Sequence, residues 1–288
     1  MRILLPPSEA KNPGGRGLPL ARRQRRQPID DSRDLVLRAL DELLAGTGGF
    51  DPARSLLLPD SVAGPALADN RRVRTAPTMP ALDRYAGIVY DGLFLQPLSD
   101  AARTVANREV LIFSGLFGVV RGGDPVPSYR VPGKAWLPGL GVLSTFWRPR
   151  LDGLVPDLLD RGPVLDLRSG DYAAMWQPSG QQARSGQLIE VRVLSPRPDG
   201  TLGVISFASK LAKGRLTAAV LERRAAGLPV RAVEDIGAAW SAAGGSDLVE
   251  RTTARGIALD LITPTAAGPA GSTGSARARR ARGAGATT

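Results

Sequence analysis

Short apolar runs bounded by proline or glycine alternate with longer helical patterns along this chain. Residues 2–5 (RILL) form an apolar run stopped by Pro6 and Pro7, which predicts a short buried strand. Residues 109–114 (EVLIFS) and 163–168 (PVLDLR) have the same character, and each runs into a glycine-containing turn. Residues 188–195 and 201–206 alternate on either side of Pro196-Arg197-Pro198-Asp199-Gly200, a hairpin signature. Residues 246–251 and 257–262 predict a closing hairpin.

The helical period shows in residues 32–45, with a Ser32 start and Leu35, Leu37, Leu40, Leu43 and Leu44. It returns in residues 80–95, where Leu82, Tyr85, Ile88, Val89 and Leu93 share a side, and in residues 143–159, 208–226 and 231–243. Residues 60–70 predict a helix or a helical hairpin broken at Gly64-Pro65. Residues 12–28, rich in Gly, Pro and Arg, predict a loop. Strands and helices are mixed without strict alternation. The pattern therefore predicts an α/β (mixed α+β) fold: a single compact domain over residues 1–264, its mixed sheet flanked by helices. No run of 18 apolar residues predicts a membrane span, and the N-terminal apolar stretch is too short for a signal peptide. A cytoplasmic monomer is the expectation.

Charge changes this picture less than its sum suggests. The 288 residues carry a formal charge of +11, from 38 basic and 27 acidic side chains. Residues 11–28 hold Lys11, Arg16, Arg22, Arg23, Arg25 and Arg26 and no acid, and residues 265–288 hold Arg277, Arg279, Arg280 and Arg282 and no acid. The body between them is nearly neutral. Residues 265–288 have no large apolar residue, and their composition predicts a disordered basic tail.

There is no Cys and no His, which excludes disulfides, thiolate zinc sites, cysteine nucleophiles and imidazole bases. No metal site and no cofactor is expected, and the chain lacks a P-loop sequence. Of the basic residues only Lys11, Lys134, Lys210 and Lys213 are lysines. A lysine retained against so strong an arginine preference is a candidate for chemistry that arginine cannot perform.

Polar clusters follow the predicted strands, where α/β proteins place ligand sites. They are Ser8, Glu9 and Lys11; Ser114 and Gly115; Arg168, Ser169, Asp171 and Tyr172; and Ser206, Ser209, Lys210, Lys213 and Arg215 at a helix start.

These clusters sit within six collinear segments: ILLPPSEAK (3–11), RTAPTMPALDRYAGIVYDGL (74–93), LIFSGLFGVVRGGDPVPSYR (111–130), LGVLSTFWRP (140–149), VLDLRSGDYAAMW (164–176) and VISFASKLAKGRL (204–216). In order and wording they resemble the YaaA family of peroxide-stress proteins. The resemblance implies a cytoplasmic protein that limits free intracellular iron under hydrogen peroxide. It also implies DNA binding through a basic cleft, with a helix-hairpin-helix-like element. Residues 58–74 are the segment that would match that element. The chain departs from the family where Ala10 stands for a usual Gly, where Gly122 stands for a usual Pro, and where Phe207 and Ala208 replace a stretch that commonly holds His and Asn.

Two function classes emerge. In a binding protein, Arg71, Arg72, Arg74, Lys210, Lys213 and Arg215 hold the phosphates of double-stranded or structured DNA. In an enzyme, Lys11, Glu9, Asp91 and Lys210 are the candidate catalytic groups. Ser8, Tyr90, Ser114, Tyr129, Arg130, Arg168, Ser169, Tyr172 and Ser206 would then line a pocket for an anionic small molecule such as a nucleobase, nucleotide or phosphorylated metabolite.

Overall fold

The computed structural model describes residues 1–22, 28–159, 162–179, 187–197, 199–253 and 256–264. Arg23, Arg25, Arg26 and the basic tail at 265–288 lie outside them. The predicted strand at the N-terminus, β1 (Arg2–Leu5), is an interior strand of the main sheet. On one side it pairs in parallel with β3 (Val110–Ser114), placing Leu4 opposite Leu111. On the other side it pairs in parallel with β8 (Val164–Asp166), placing Leu4 opposite Asp166. Two further parallel strands continue the sheet, β9 (Leu188–Pro196) and β12 (Gly256–Ile262).

Both edges are antiparallel. β4 (Gly118–Arg121) folds back on β3, and β11 (Asp247–Thr253) folds back on β12. A short β10 (Leu202–Gly203) turns back on the end of β9. Central parallel strands lose water from both faces, which is why their sequences are apolar without alternation. Leu4, Leu5, Val110, Ile112 and Leu165 are all buried.

Helices cover this sheet. α1 (Asp30–Ala45) buries Val36, Leu37, Leu40 and Leu43 and ends at Gly46 in the left-handed conformation. The short α2 (Pro52–Ser55) is capped by the Asp51 carboxylate. α3 (Asp60–Arg71) is one continuous helix, so the hairpin expected at Gly64-Pro65 is absent. Both residues lie exposed on the outer side of α3.

The long helix expected over 80–95 is two short ones, α4 (Ala81–Arg84) and α5 (Ile88–Leu93). They part at Gly87, whose φ of +110° a helix cannot hold. α6 (Asp100–Glu109) has no counterpart in the apolar pattern because it packs through small side chains, Ala102 and Ala106. α7 (Leu143–Leu158), α9 (Ser206–Ala225) and α10 (Val233–Ala242) fall where the period placed them, with α8 (Gly170–Ala173) as a single turn after β8. Two-stranded pairs, β2 (Met79–Pro80) with β5 (Pro125–Val126) and β6 (Trp136–Leu137) with β7 (Gly141–Val142), brace the loops. No helix among the described residues is long and apolar enough to cross a membrane.

One close packing sets the position of α9. Gly92 of α5 and Gly214 of α9 face each other. A Cβ on Gly214 would stand 2.0 Å from the Val89 carbonyl oxygen, and one on Gly92 would stand 2.3 Å from the Leu211 carbonyl oxygen. Backbone sits on both sides, so neither contact can relax by a rotamer change. Gly214→Ala is expected to cost about 1–3 kcal/mol through overpacking. Gly153→Ala, in α7 with open space at its Cβ, should instead stabilise by about 0.5–1 kcal/mol. Denaturant midpoints of the two variants check both signs.

Candidate functional site

In order along the sheet, the parallel strands run β3-β1-β8-β9-β12. From β1 the chain goes first to one neighbour, β3, and later returns to the other, β8. Parallel sheets open a crevice at the carboxyl ends of the strands where such a reversal occurs. Here that crevice lies between the ends of β1 and β8, and it receives residues 6–12 and 167–176.

Pro6 and Pro7 end β1 because neither can donate to the ladder. The Tyr90 hydroxyl donates to the Pro6 carbonyl at 2.9 Å. The loop then runs alongside residues 84–87: the Asn12 amide donates to the Arg84 carbonyl at 2.8 Å, and the Ala86 amide to the Ala10 carbonyl at 3.1 Å. Ser8 fits there only because residue 87 is glycine, since a Cβ at 87 would stand 2.8 Å from Ser8 Oγ.

This course turns Lys11 inward. Its Nζ donates to the carbonyls of Ser8 at 2.7 Å and Glu9 at 3.2 Å. It lies 4.3 Å from the centre of the Tyr129 ring and 5.4 Å from that of Tyr85. Burial pushes the amine down to about 7; the Glu9 carboxylate opposes this, and the Arg130 and Arg84 cations reinforce it.

Behind Lys11 runs a chain of three buried hydroxyls. Ser114 Oγ is 2.6 Å from Tyr129 Oη, which is 2.7 Å from Tyr85 Oη. The Phe117 amide donates to Ser114 Oγ at 3.1 Å. Burial raises the Tyr85 phenol to about 12 and those of Tyr90 and Tyr129 well above their usual value. The phenols are therefore neutral donors at physiological pH.

Tyr172 closes the crevice from the β8 side. It accepts from the Gly133 amide at 3.3 Å and donates to the Glu9 carboxylate at 3.3 Å. Burial and the neighbouring Glu9 raise its phenol too. The four tyrosines of the chain thus all stand around this one loop. Arg130 approaches the other Glu9 oxygen at 3.9 Å. Its backbone is fixed by Asn70 of α3, which donates to the Arg130 carbonyl at 3.0 Å and accepts from its amide at 2.8 Å. Glu9 and Arg130 form the open side, with side chains 38% and 26% exposed.

Arg168 and Lys213 lie deeper. Arg168 makes a two-pronged pair with Asp166, at 2.9 and 2.7 Å, and also donates to the carbonyls of Tyr172 and Trp176. Its guanidinium, 4.2 Å from the Phe113 ring, braces the β8 turn. Lys213 donates to the Leu167 carbonyl at 3.0 Å, and burial lowers its amine. Ser169, Ser206, Asp91 and Lys210 are exposed. At the end of α3, Arg72 pairs with Asp69 and Arg74 with Asp41, both at 2.9 Å, while Arg71 is exposed. Arg215 lies over Gly244.

The crevice therefore gathers Ser8, Glu9, Lys11, Tyr90, Ser114, Tyr129, Arg130 and Tyr172, with Arg168 and Lys213 behind them. Asp91, Ser169, Ser206 and Lys210 stand outside it. Tyr85, Asn70 and Arg84 belong to the site although the sequence alone does not single them out as functional. For Tyr85 a signal is present in the rarity of tyrosine, which occurs four times in the chain.

A lysine amine lowered from 10.5 to about 7 links the site to stability. Between those values the unfolded chain binds a proton that the folded chain does not, so stability rises with pH, by up to about 1.4 kcal/mol per pH unit. Below about 7 both states are protonated and the slope from Lys11 vanishes. The stability of the protein relative to its Lys11→Met variant is expected to increase from pH 7 to pH 9.5 in urea unfolding. A pH-independent difference would mean that the buried amine stays charged.

Comparison with known proteins agrees with the motifs that line this crevice. Residues 1–238 match the family model described as peroxide stress protein YaaA. A UPF0246 protein of Streptomyces coelicolor is 41% identical over 223 residues, covering 77% of this chain and 83% of the relative. One from Corynebacterium efficiens is 38% identical over 219 residues, covering 75% and 83%. A more distant UPF0246 protein, from Porphyromonas gingivalis, is 32% identical over 155 residues, covering 52% and 59%. With its strand-end site inside the matched region, the chain belongs to the YaaA family of peroxide stress proteins.

Proposed function

We propose that this peroxide-stress protein acts by binding DNA through phosphate contacts across the strand-end face. A continuous line of contacts supports this reading. It runs from Asn70 to Arg130, from Arg130 to Glu9, from Glu9 to Tyr172, and through the Arg168 turn to Lys213. The line joins the end of α3, where Arg71 and, just beyond the helix, Arg72 and Arg74 lie, to the first turns of α9, which carry Lys210, Lys213 and Arg215. Arg71 and Lys210, on the helices at the two ends of this line, are exposed, and half-buried Arg130 lies along it. Pairing with Asp69 and Asp41 at exposed positions holds Arg72 and Arg74 only weakly, so both are available to a phosphate.

Limitation of free iron comes in this reading from what the protein binds, not from storage of the metal. The chain has no His or Cys, and no group of three or more acidic residues suited to a metal occurs among the described residues.

Phosphate contacts release counterions, so affinity should fall steeply with salt. In fluorescence anisotropy with a duplex oligonucleotide, Arg71→Ala and Lys210→Ala are each expected to lower the salt slope by about 1 and to weaken binding to unrelated sequences alike. Affinity that does not change with salt would refute the reading.

A second reading is favoured by the position of Lys11, Glu9 and Arg130 at the chain reversal between β1 and β8. It is a site for a small anionic ligand, and it can coexist with the first.

A further inference from the structure

Lys11 differs from the other described lysines in how its nitrogen is held. Lys134 pairs with Asp171 at 2.7 Å in solvent, Lys210 is exposed, and Lys213 supports the carbonyls that follow β8. The Lys11 nitrogen lies against aromatic rings with two carbonyl acceptors, Ser8 O and Glu9 O. A neutral amine has two N–H bonds, and these two acceptors take both. Among the described residues nothing donates a hydrogen bond to its lone pair. Burial and two nearby guanidinium groups favour that neutral form.

The groups beside it suit an electrophilic carbonyl. Glu9, two residues earlier, is oriented by the Tyr172 hydroxyl and stays partly exposed. Arg130 stands on the far side of that carboxylate, anchored through its backbone to the buried Asn70. A planar guanidinium at the mouth of a crevice is a phosphate holder.

We infer that Lys11 is an amine nucleophile that forms an imine with an aldehyde bearing a phosphate, the phosphate resting on Arg130. The inference rests on the small-ligand reading above and does not require duplex binding. The Nζ lone pair attacks the carbonyl carbon, and the carbonyl π electrons move onto oxygen. Glu9 carries a proton from the new ammonium to the alkoxide oxygen, giving the carbinolamine. It then carries the remaining N–H proton to the departing hydroxyl, which leaves as water. Amine and aldehyde become imine and one water, with no oxidation or reduction. Phosphorylated aldehydes exist as free sugar phosphates and as the opened sugar at an abasic position in DNA, and the chemistry at Lys11 is the same for both.

Trapping with cyanoborohydride tests this on the full chain. The probes are glyceraldehyde 3-phosphate, unphosphorylated glyceraldehyde, and a duplex oligonucleotide with one abasic position. A reduced adduct mapped by peptide mass spectrometry to Lys11 is expected with one or both phosphorylated probes. Lys11→Gln should abolish it, Lys134→Ala should leave it intact, and Glu9→Gln should slow it on the order of a hundredfold. Arg130→Ala should remove the preference for glyceraldehyde 3-phosphate over glyceraldehyde. Circular dichroism of Lys11→Gln, with Lys11→Arg as a second variant, separates loss of chemistry from loss of fold. An adduct with the small probe alone keeps the inference and counts against duplex engagement at this site. No adduct above the Lys11→Gln level with any probe, or an adduct mapped to another amine, overturns it.

Discussion

The buried guanidinium of Arg84 is the interaction on which the site depends. It is fully buried with no carboxylate bonded to it among the described residues, and carbonyls take up its donors instead: Val126 at 3.0 Å, Gly14 at 2.8 Å, Pro77 at 3.2 Å, and Asn12. A cation removed from water at such cost holds only where its hydrogen bonds are satisfied. The stretches around residues 12–14, 77 and 126 must therefore come together at Arg84. The first of them is the loop that carries Lys11, which pairs with Tyr85 in an isolated bridge next to Arg84. The same charge then acts on the lysine it has positioned, by disfavouring a second cation nearby. Arg84 thus contributes to both the position and the electrostatics of Lys11, beside the larger effects of burial, Glu9 and Arg130.

Much of the fold is legible in the sequence because central parallel strands are apolar on both faces and end abruptly. Arg-Ile-Leu-Leu before two prolines needs no tertiary context to be read as a strand. The elements that the pattern misses have specific causes. α6 packs with alanines, which carry little periodic signal. The helix expected over 80–95 breaks because Tyr85 is extended and bridges to Lys11, far away in sequence, just before Gly87 with its positive φ. β4 escapes the pattern because Gly115 follows β3 and β4 itself opens on Gly118, so the stretch reads as a turn. Pro65, which reads as a break, lies on the exposed side of α3. The Ser61 carbonyl that it leaves without an amide is exposed as well, so water can satisfy it.

At the site, the clusters after β1, β3 and β8 are legible as strand ends, and the structure brings them into contact. Whether each member faces the crevice or the interior is not legible. Arg168 reads as an anion clamp, but its guanidinium is already bound by Asp166 two residues before it. Residues two apart in an extended chain share a side, so the carboxylate that ends β8 meets the guanidinium directly. Lys210 and Lys213 share a helix in sequence, yet one is exposed and the other lies under the β8 turn. Three positions on a helix is most of a turn but not all of it, and at the rim of a crevice that offset separates solvent from interior.

The position of β1 has a consequence for how the molecule reaches its native state. β1 is an interior strand of the parallel sheet, and both neighbours, β3 and β8, lie far along the chain. Glu9 and Tyr172, which meet across the crevice, are 163 residues apart. Contacts of that range make folding slow, because the entropy of closing the loop is lost before any pairing compensates for it. Both edges of β1 stay open until β3 and β8 pair with it. The crevice, built from the loops that leave those strands, cannot exist in a half-folded chain. Lys11 therefore becomes a buried amine only in a molecule that has finished folding, which keeps its reactivity out of every earlier state.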